Sequence, residues 1–406
     1  MKLLHTSDWH LGHRLLNQAE RDLEHQVALD WLLTVLDQEH IDILLIAGDI
    51  FDNSNPPHSA LKRYYEFLTA VKKTQCNHVV IIGGNHDSPA LLNAPKHLLE
   101  QLDIHVIGCV QWNGAKSDLS QEIVFIEDLA TIAAVPFLRD RDVRQKGLSE
   151  EMIERQSQIQ NGIIEHYAQL ADLIEKNEYK NIPIIGMGHL FAAGSMLGDS
   201  EKSIHVGNLG QISAATFPKL FNYIALGHLH RPQKVASQNH IRYSGSLIPL
   251  SFNEAAHLKQ VLIAEFNGRE LVEVKSLEVP QVRKFVTFRG TWAEVYSQIS
   301  HYKDEQPAWG EVVLLETPNL SHLHAELQQQ VKTSPLDILR VSFEIPQTEE
   351  NAPVIIPSQQ LEELTPLDIF RHRCQTAQKS TDKTAELEFF FQSVLDDINS
   401  SEKMLS

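Results

Sequence analysis

The segment His78-Val79-Val80-Ile81-Ile82-Gly83-Gly84-Asn85-His86-Asp87 decides how the chain reads. A run rich in valine and isoleucine, without polar alternation, is the pattern of a strand buried on both faces of a sheet. Two glycines end it, and an amide, an imidazole and a carboxylate follow in consecutive positions. Outward from this point the same arrangement recurs. Lys2–Thr6 leads to Asp8-Trp9-His10, Ile43–Ala47 to Gly48-Asp49, Ile182–Gly186 to Gly188-His189, and Tyr223–Leu226 to Gly227-His228-Leu229-His230. Thr131–Val135 and Ile241–Ser244 read as further buried strands. Amphipathic stretches such as Gln26–Leu33 and Ala60–Leu68 separate the early strands, and a long polar helix is predicted across 150–176. Strand–helix alternation of this kind predicts an α/β domain. Open α/β folds assemble their sites in loops at the carboxyl ends of strands, so the motif-bearing loops are expected to converge.

The residue types in those loops suit a hard or borderline divalent metal. Carboxylate, imidazole and amide oxygen without thiolate point to Mn²⁺, Fe²⁺ or Zn²⁺ and away from a structural zinc site. Along an extended segment, Asp8 and His10 fall on one face and reach one ion, whereas His228 and His230 can each serve one ion of a pair. The glycines before Asp49, Asn85, His189 and His228 are expected to allow sharp turns after each strand. Two ions about 4 Å apart need a bridging ligand, and Asp49 is the natural candidate because a carboxylate has two oxygens. Taken singly, each motif has a plainer reading: Gly-Asp is a common turn, and a lone histidine after a strand is more often a cap or a core residue. The ordered set carries the metal reading.

With 42% hydrophobic and 22% charged residues the composition is that of a globular protein. The net charge of −18 argues against a protein that coats nucleic acid through its overall field. It leaves room for a nuclease, whose bound cations supply local positive charge. Cys76, Cys109 and Cys374 are scattered without CxxC spacing, so a reducing cytoplasm is expected rather than a disulfide framework. No apolar run approaches the roughly 18 residues of a membrane span, and the first residues do not read as a signal peptide.

Beyond the α/β region, 282–345 reads strand, helix, strand, helix, strand: a compact α+β module. The expected organisation is 1–275, 276–346, a linker over 347–360 marked by Glu349-Glu350-Asn351-Ala352-Pro353, and a helical tail over 361–406. In the tail Leu387, Phe390, Phe391, Val394, Leu395 and Ile398 form an apolar stripe at helical spacing. It packs on the chain's own body or on a partner.

The order Asp-x-His, Gly-Asp, Gly-Asn-His-Asp, Gly-His, Gly-His-x-His resembles the calcineurin-like metallophosphoesterases, a β-sandwich flanked by helices. The likeness is closer still to the SbcD family, the nuclease subunits of bacterial SbcCD exonucleases. His5-Thr6-Ser7-Asp8-Trp9-His10-Leu11-Gly12, Ala47-Gly48-Asp49-Ile50-Phe51-Asp52 and Tyr243-Ser244-Gly245-Ser246-Leu247-Ile248-Pro249-Leu250-Ser251-Phe252 look like that family. The resemblance spans the whole chain. It implies that Asp8, His10, Asp49 and His230 hold one metal, and Asp49, Asn85, His189 and His228 the other, usually manganese. It implies that His86 contacts the scissile phosphate and protonates the leaving oxygen, with Asp87 orienting it. DNA is the implied substrate: exonuclease action on duplex ends, endonuclease action on hairpins and single strands. An SbcC-type ATPase with a long coiled coil is the implied partner, docking on the helical tail, with the nuclease subunits paired as a dimer. Residues 282–345 would form the family's capping domain. One departure is that archaeal and eukaryotic relatives carry a second histidine where this chain has Asp52, a position commonly Asp in the bacterial branch. Separately, the basic run around Arg139, Arg141 and Arg144 reads either as a contact to the DNA backbone or as a solvated loop balanced by its own aspartates.

Two other classes compete. A phosphoesterase of small molecules or phosphoproteins needs neither capping module nor tail. A catalytically dead scaffold would be expected to have lost ligands, yet all seven are present with His86.

Overall fold

The computed structural model describes residues 1–114, 116–143, 152–176, 182–193, 195, 212–316, 323–332, 334–344, 387–388 and 391. Two six-stranded sheets build its larger part. Their strands are β1 Lys2–Thr6, β2 Ile43–Ala47, β3 His78–Ile82, β4 Ile104–Ile107, β5 Ile123–Ile126, β6 Ala130–Ala134, β7 Ile184–His189, β8 Tyr223–Gly227, β9 Gln233–Lys234, β10 Ile241–Tyr243, β11 Gln260–Asn267 and β12 Glu270–Glu278. The first sheet runs β12-β11-β1-β2-β3-β4 and the second β9-β10-β8-β7-β6-β5. In the first, β1 to β4 are parallel and β11 and β12 antiparallel. In the second, β6, β7, β8 and β10 are parallel and the edges β5 and β9 antiparallel. The parallel strands put the predicted motifs at the same end of their sheet.

Alternation along the strands explains the layering. Leu3, Ile43, Leu45, Val80 and Ile82 meet Ile132, Ile185, Met187 and Tyr223 between the sheets. Leu4, Leu44, Ile46 and Ile81 point the other way, against Leu29, Leu32 and Phe67 of helices α1 Asp22–Gln38 and α2 His58–Val71. Helix α3 Met152–Lys176 covers the second sheet with Ile163, Tyr167 and Leu170. Strands buried on both faces need no polar alternation, which is why they were legible as apolar runs. The β11–β12 hairpin was not anticipated: β12 is largely exposed and polar, and it is held as an edge by pairing with β11.

Farther on, the order β13 Lys284–Gly290, α4 Trp292–Ser300, β14 Ala308–Leu314, α5 Leu323–Val331, β15 Leu336–Phe343 follows the expected strand–helix alternation, and the three strands form one sheet. The chain divides into two compact units, 1–288 with 298–312 and 324–341, and 289–297 with 313–323 and 342–406. In the second, Thr291 and Glu294 cap α4 reciprocally: the Thr291 amide donates to Glu294 Oε2 at 2.8 Å and the Glu294 amide to Thr291 Oγ1 at 3.4 Å. Of the apolar stripe, Leu387 and Phe391 are described, the first exposed and the second half-buried. Phe390, Val394, Leu395 and Ile398 lie outside the described residues. Among the described residues no helix is long and apolar enough to cross a membrane.

Candidate metal centre

The carboxyl ends of β1, β2 and β3 meet those of β7 and β8 across the sandwich. His189, the last residue of β7, donates from Nδ1 to the Ala47 carbonyl of β2 at 2.9 Å. Asp8, His10 and His230 offer ligand atoms within 4.8 Å of one another, and so do Asp8, Asp49 and His189; all five residues are buried. Asn85 Oδ1 lies 2.9 Å from His189 Nε2 and 3.0 Å from His228 Nδ1. All seven candidate ligands therefore gather in one cluster. Among the described residues Asp8 falls in both groupings, whereas the resemblance implied it for one ion only.

Local backbone differs from the sequence reading. Asp8 and His10 have φ of 51° and 47°, so they reach the cluster through left-handed conformations and not from one extended face. Asp49 at 50° and His228 at 98° are also left-handed. Such conformations cost free energy for non-glycine residues and persist where surrounding structure enforces them. The glycines act mainly in another way than turning. Gly48 does have φ of 88°, but Gly84 and Gly227 are needed for close approach. A Cβ on Gly84 would stand 2.1 Å from Asp49 Oδ1, and one on Gly227 1.9 Å from the Ala47 carbonyl oxygen.

Asp49 receives the His86 amide on Oδ1 at 2.9 Å, while Oδ2 lies 3.2 Å from His189 Nε2 and 3.7 Å from His10 Nε2. Asp49 Oδ2 is thus the carboxylate oxygen that faces both the His189 and the His10 rings, which would let Asp49 help hold a metal pair. Burial opposes it, but the neighbouring His189, His10 and His86 rings hold the Asp49 carboxyl well below the usual carboxylate range. For His189, burial lowers the basicity, yet Asp49 and Asp8 outweigh it and raise the ring to about 9. At His10 burial wins and the ring is lowered. The cluster thus has an electrostatic preference for positive charge at its centre. His10 Nε2 is fully buried and makes no hydrogen bond. An orphaned buried nitrogen amid carboxylates, imidazoles and an amide oxygen fits a divalent metal site.

His86 lies beside the cluster. Its ring stands 4.9 Å from that of His10, and Nδ1 donates to the Asp52 carbonyl at 2.7 Å. Asp87, expected to orient His86, does not touch that ring. Its carboxylate accepts the amides of Gly84, Phe51 and Ile50 at 2.9, 3.0 and 3.1 Å. Asp87 therefore ties the loop after β2 to the loop after β3, and burial with the charge of Asp49 pushes it up to about 6. Sequence reading also missed three partners. Asp52 Oδ1 accepts from His13 Nδ1 at 2.8 Å and lies 3.3 Å from His10 Nδ1. Glu254 accepts from His230 Nδ1 at 2.9 Å, and Lys259 supports Glu254 at 2.8 Å. Glu254 and Lys259 fall just beyond the Tyr243–Phe252 segment, and no local pattern in 253–260 marks them as partners of His230. Phe137 packs edge-on to His189, with centroids 6.2 Å apart, and leads into Arg139 and Arg141. Arg141 is largely exposed, 3.7 Å from Asp142, and Arg144 lies outside the described residues.

A two-sheet sandwich with an Asp/His/Asn cluster at one end defines a metallophosphoesterase, and the calcineurin-like phosphoesterase model matches residues 1–232. A second family model, described as the type 5 capsule protein repressor C-terminal domain, matches 281–378. The SbcD subunit of the SbcCD nuclease of Escherichia coli K12 is 32% identical over 97% of this chain and 98% of its own length. Its counterpart in Bacillus subtilis is 31% identical over 79% and 81%, and that in Rhodobacter capsulatus 30% over 91% and 93%. The chain belongs to the SbcD family of calcineurin-like phosphoesterases. Among solved structures, a dimetal phosphatase from Danio rerio is similar at a TM-score of 0.38 and 12% identity, over 69% of this chain and 99% of that one.

Proposed function

We propose that the chain is the nuclease subunit of an SbcCD-type complex, hydrolysing DNA phosphodiesters at a two-metal site. The observation that supports it best is the gathering of Asp8, His10, Asp49, His189 and His230 within ligand distance of one another, in two overlapping groups. Asp8, His10, Asp49 and His230 hold one ion and Asp49, Asn85, His189 and His228 the other, with Mn²⁺ the metal of choice. Bound there, the ions supply Lewis-acid charge for a phosphodiester and activate water for in-line attack. The chain's own residues do the rest. Because Nδ1–H of His86 is committed to the Asp52 carbonyl, Nε2 is the atom left for substrate, and in the protonated ring it carries the proton that passes to the leaving oxygen. Phe137 and the Arg139–Arg141 segment beside His189 carry the DNA backbone away from the site. Residues 276–346 act as a cap that discriminates DNA shape. The apolar stripe of Leu387, Phe390, Phe391, Val394, Leu395 and Ile398 docks on the coiled-coil ATPase, and two nuclease subunits pair within the assembly.

Cleavage of end-labelled linear duplex DNA with Mn²⁺ tests this reading, with His86→Ala alongside. Label release abolished by the substitution, at unchanged metal content, is the expected result. Turnover of a small phosphodiester with no DNA cleavage, even when the ATPase is added, would move the chain to another phosphoesterase class.

A further inference from the structure

Glu254 lies outside every motif that marks the site, yet it is 7% exposed and makes more buried polar contacts than a loop glutamate needs. Its Oε1 accepts from His230 Nδ1 at 2.9 Å. Its Oε2 accepts from Lys259 Nζ at 2.8 Å, from the Leu250 amide at 3.1 Å and from Ser246 Oγ at 3.2 Å. Lys259, 6% exposed, also donates to the His230 carbonyl at 3.0 Å and to Ser246 Oγ at 2.7 Å. The pair thus grips His230 twice, at its ring through Glu254 and at its backbone through Lys259.

Burying a carboxylate and an ammonium is costly, and a pair of this kind adds little to stability compared with apolar residues of the same volume. A carboxylate only accepts, so His230 Nδ1 carries a proton, and the neutral ring held this way presents its lone pair at Nε2. That is the tautomer a metal ligand requires, and the hydrogen bond also sets the ring's direction and raises its basicity. His189 is oriented instead by a neutral carbonyl, that of Ala47 at 2.9 Å. We propose that Glu254, anchored by Lys259, is a positioning residue that fixes the tautomer and basicity of His230, and so sets the affinity of the ion held with Asp8 and His10 apart from that of its neighbour. The inference rests on His230 being a metal ligand.

The test is stepwise Mn²⁺ titration of the metal-stripped full chain by calorimetry, with thermal midpoints of the metal-free proteins measured in parallel. Glu254→Ala is expected to weaken one of two binding events by about 10–100-fold and to leave the other within a few fold. Glu254→Gln, which keeps an acceptor for Nδ1 but not the charge, should recover part of that loss, and Lys259→Met should fall between. His230→Ala is the control: if it weakens neither event, the ligand assignment fails. If His230→Ala weakens one event and folded Glu254→Ala and Glu254→Gln weaken none, the positioning role alone is overturned. Equal weakening of both events together with a lowered metal-free midpoint would make the pair merely structural and overturn it as well.

Discussion

At the residue scale, the cluster is built by buried carboxylates and imidazoles packed around glycines that leave no room for a Cβ. A methyl at Gly84 has backbone and carboxylate of Asp49 within 2.1–2.3 Å, and neither is the far end of a flexible chain. Gly84→Ala is expected to displace Asp49, cost about 1–3 kcal/mol of stability, and release metal, read as thermal midpoint and metal content. His86→Ala should do the reverse: metal content and midpoint unchanged, with kcat lower by roughly 10²–10⁴. Asp87→Ala distinguishes a structural carboxylate from a reacting one. It strips acceptors from the Gly84, Ile50 and Phe51 amides, so a loss of several kcal/mol in urea unfolding should accompany any loss of rate.

At the scale of elements, two buried histidines make the sandwich acid-labile independently of the metal ligands. His5 in β1 hydrogen-bonds Tyr223 and the Leu226 carbonyl, and His25 in α1 donates to the Trp9 carbonyl at 2.8 Å. Burial lowers both to about 3, with Arg21 adding to the effect at His25. The folded value lies below the unfolded one, so the unfolded chain takes up the proton first. The stability of the neutral ring is complete above about pH 6.5 and is lost progressively as pH falls toward 3, by up to about 1.4 kcal/mol per pH unit for each histidine. Urea unfolding at pH 7 and pH 5 should show the drop, and His25→Gln should make it smaller even though the variant is less stable at pH 7.

For the whole molecule, a net charge of −18 means that attraction to DNA is local. Each phosphate contact contributes about −0.9 to the slope of log affinity against log salt. With contacts limited to the Arg139–Arg144 segment, a slope near −3 is expected by anisotropy with Ca²⁺ in place of Mn²⁺. Arg139→Ala and Arg141→Ala should each make it shallower by about 1. A slope near −8 unaffected by either substitution would place the DNA elsewhere.

From the sequence alone come seven of the twelve strands of the two sheets and the seven candidate ligands that follow them, because strands buried on both faces are written as apolar runs and metal chemistry restricts which side chains suit a site. The α/β alternation and the second alternation over 284–343 were legible for the same reason: hydrophobic period is a local property. Only the tertiary structure decided how the residues are held. Asp87 binding the Ile50 and Phe51 amides, the Asp52 carbonyl on His86, and Glu254 behind His230 are contacts between loops 24 to 37 residues apart. So is the role of Gly84 and Gly227, whose constraint comes from Asp49 and Ala47, just beyond and at the end of β2, and not from their own φ. No local pattern encodes such contacts, because each exists only once the sheets have closed on one another.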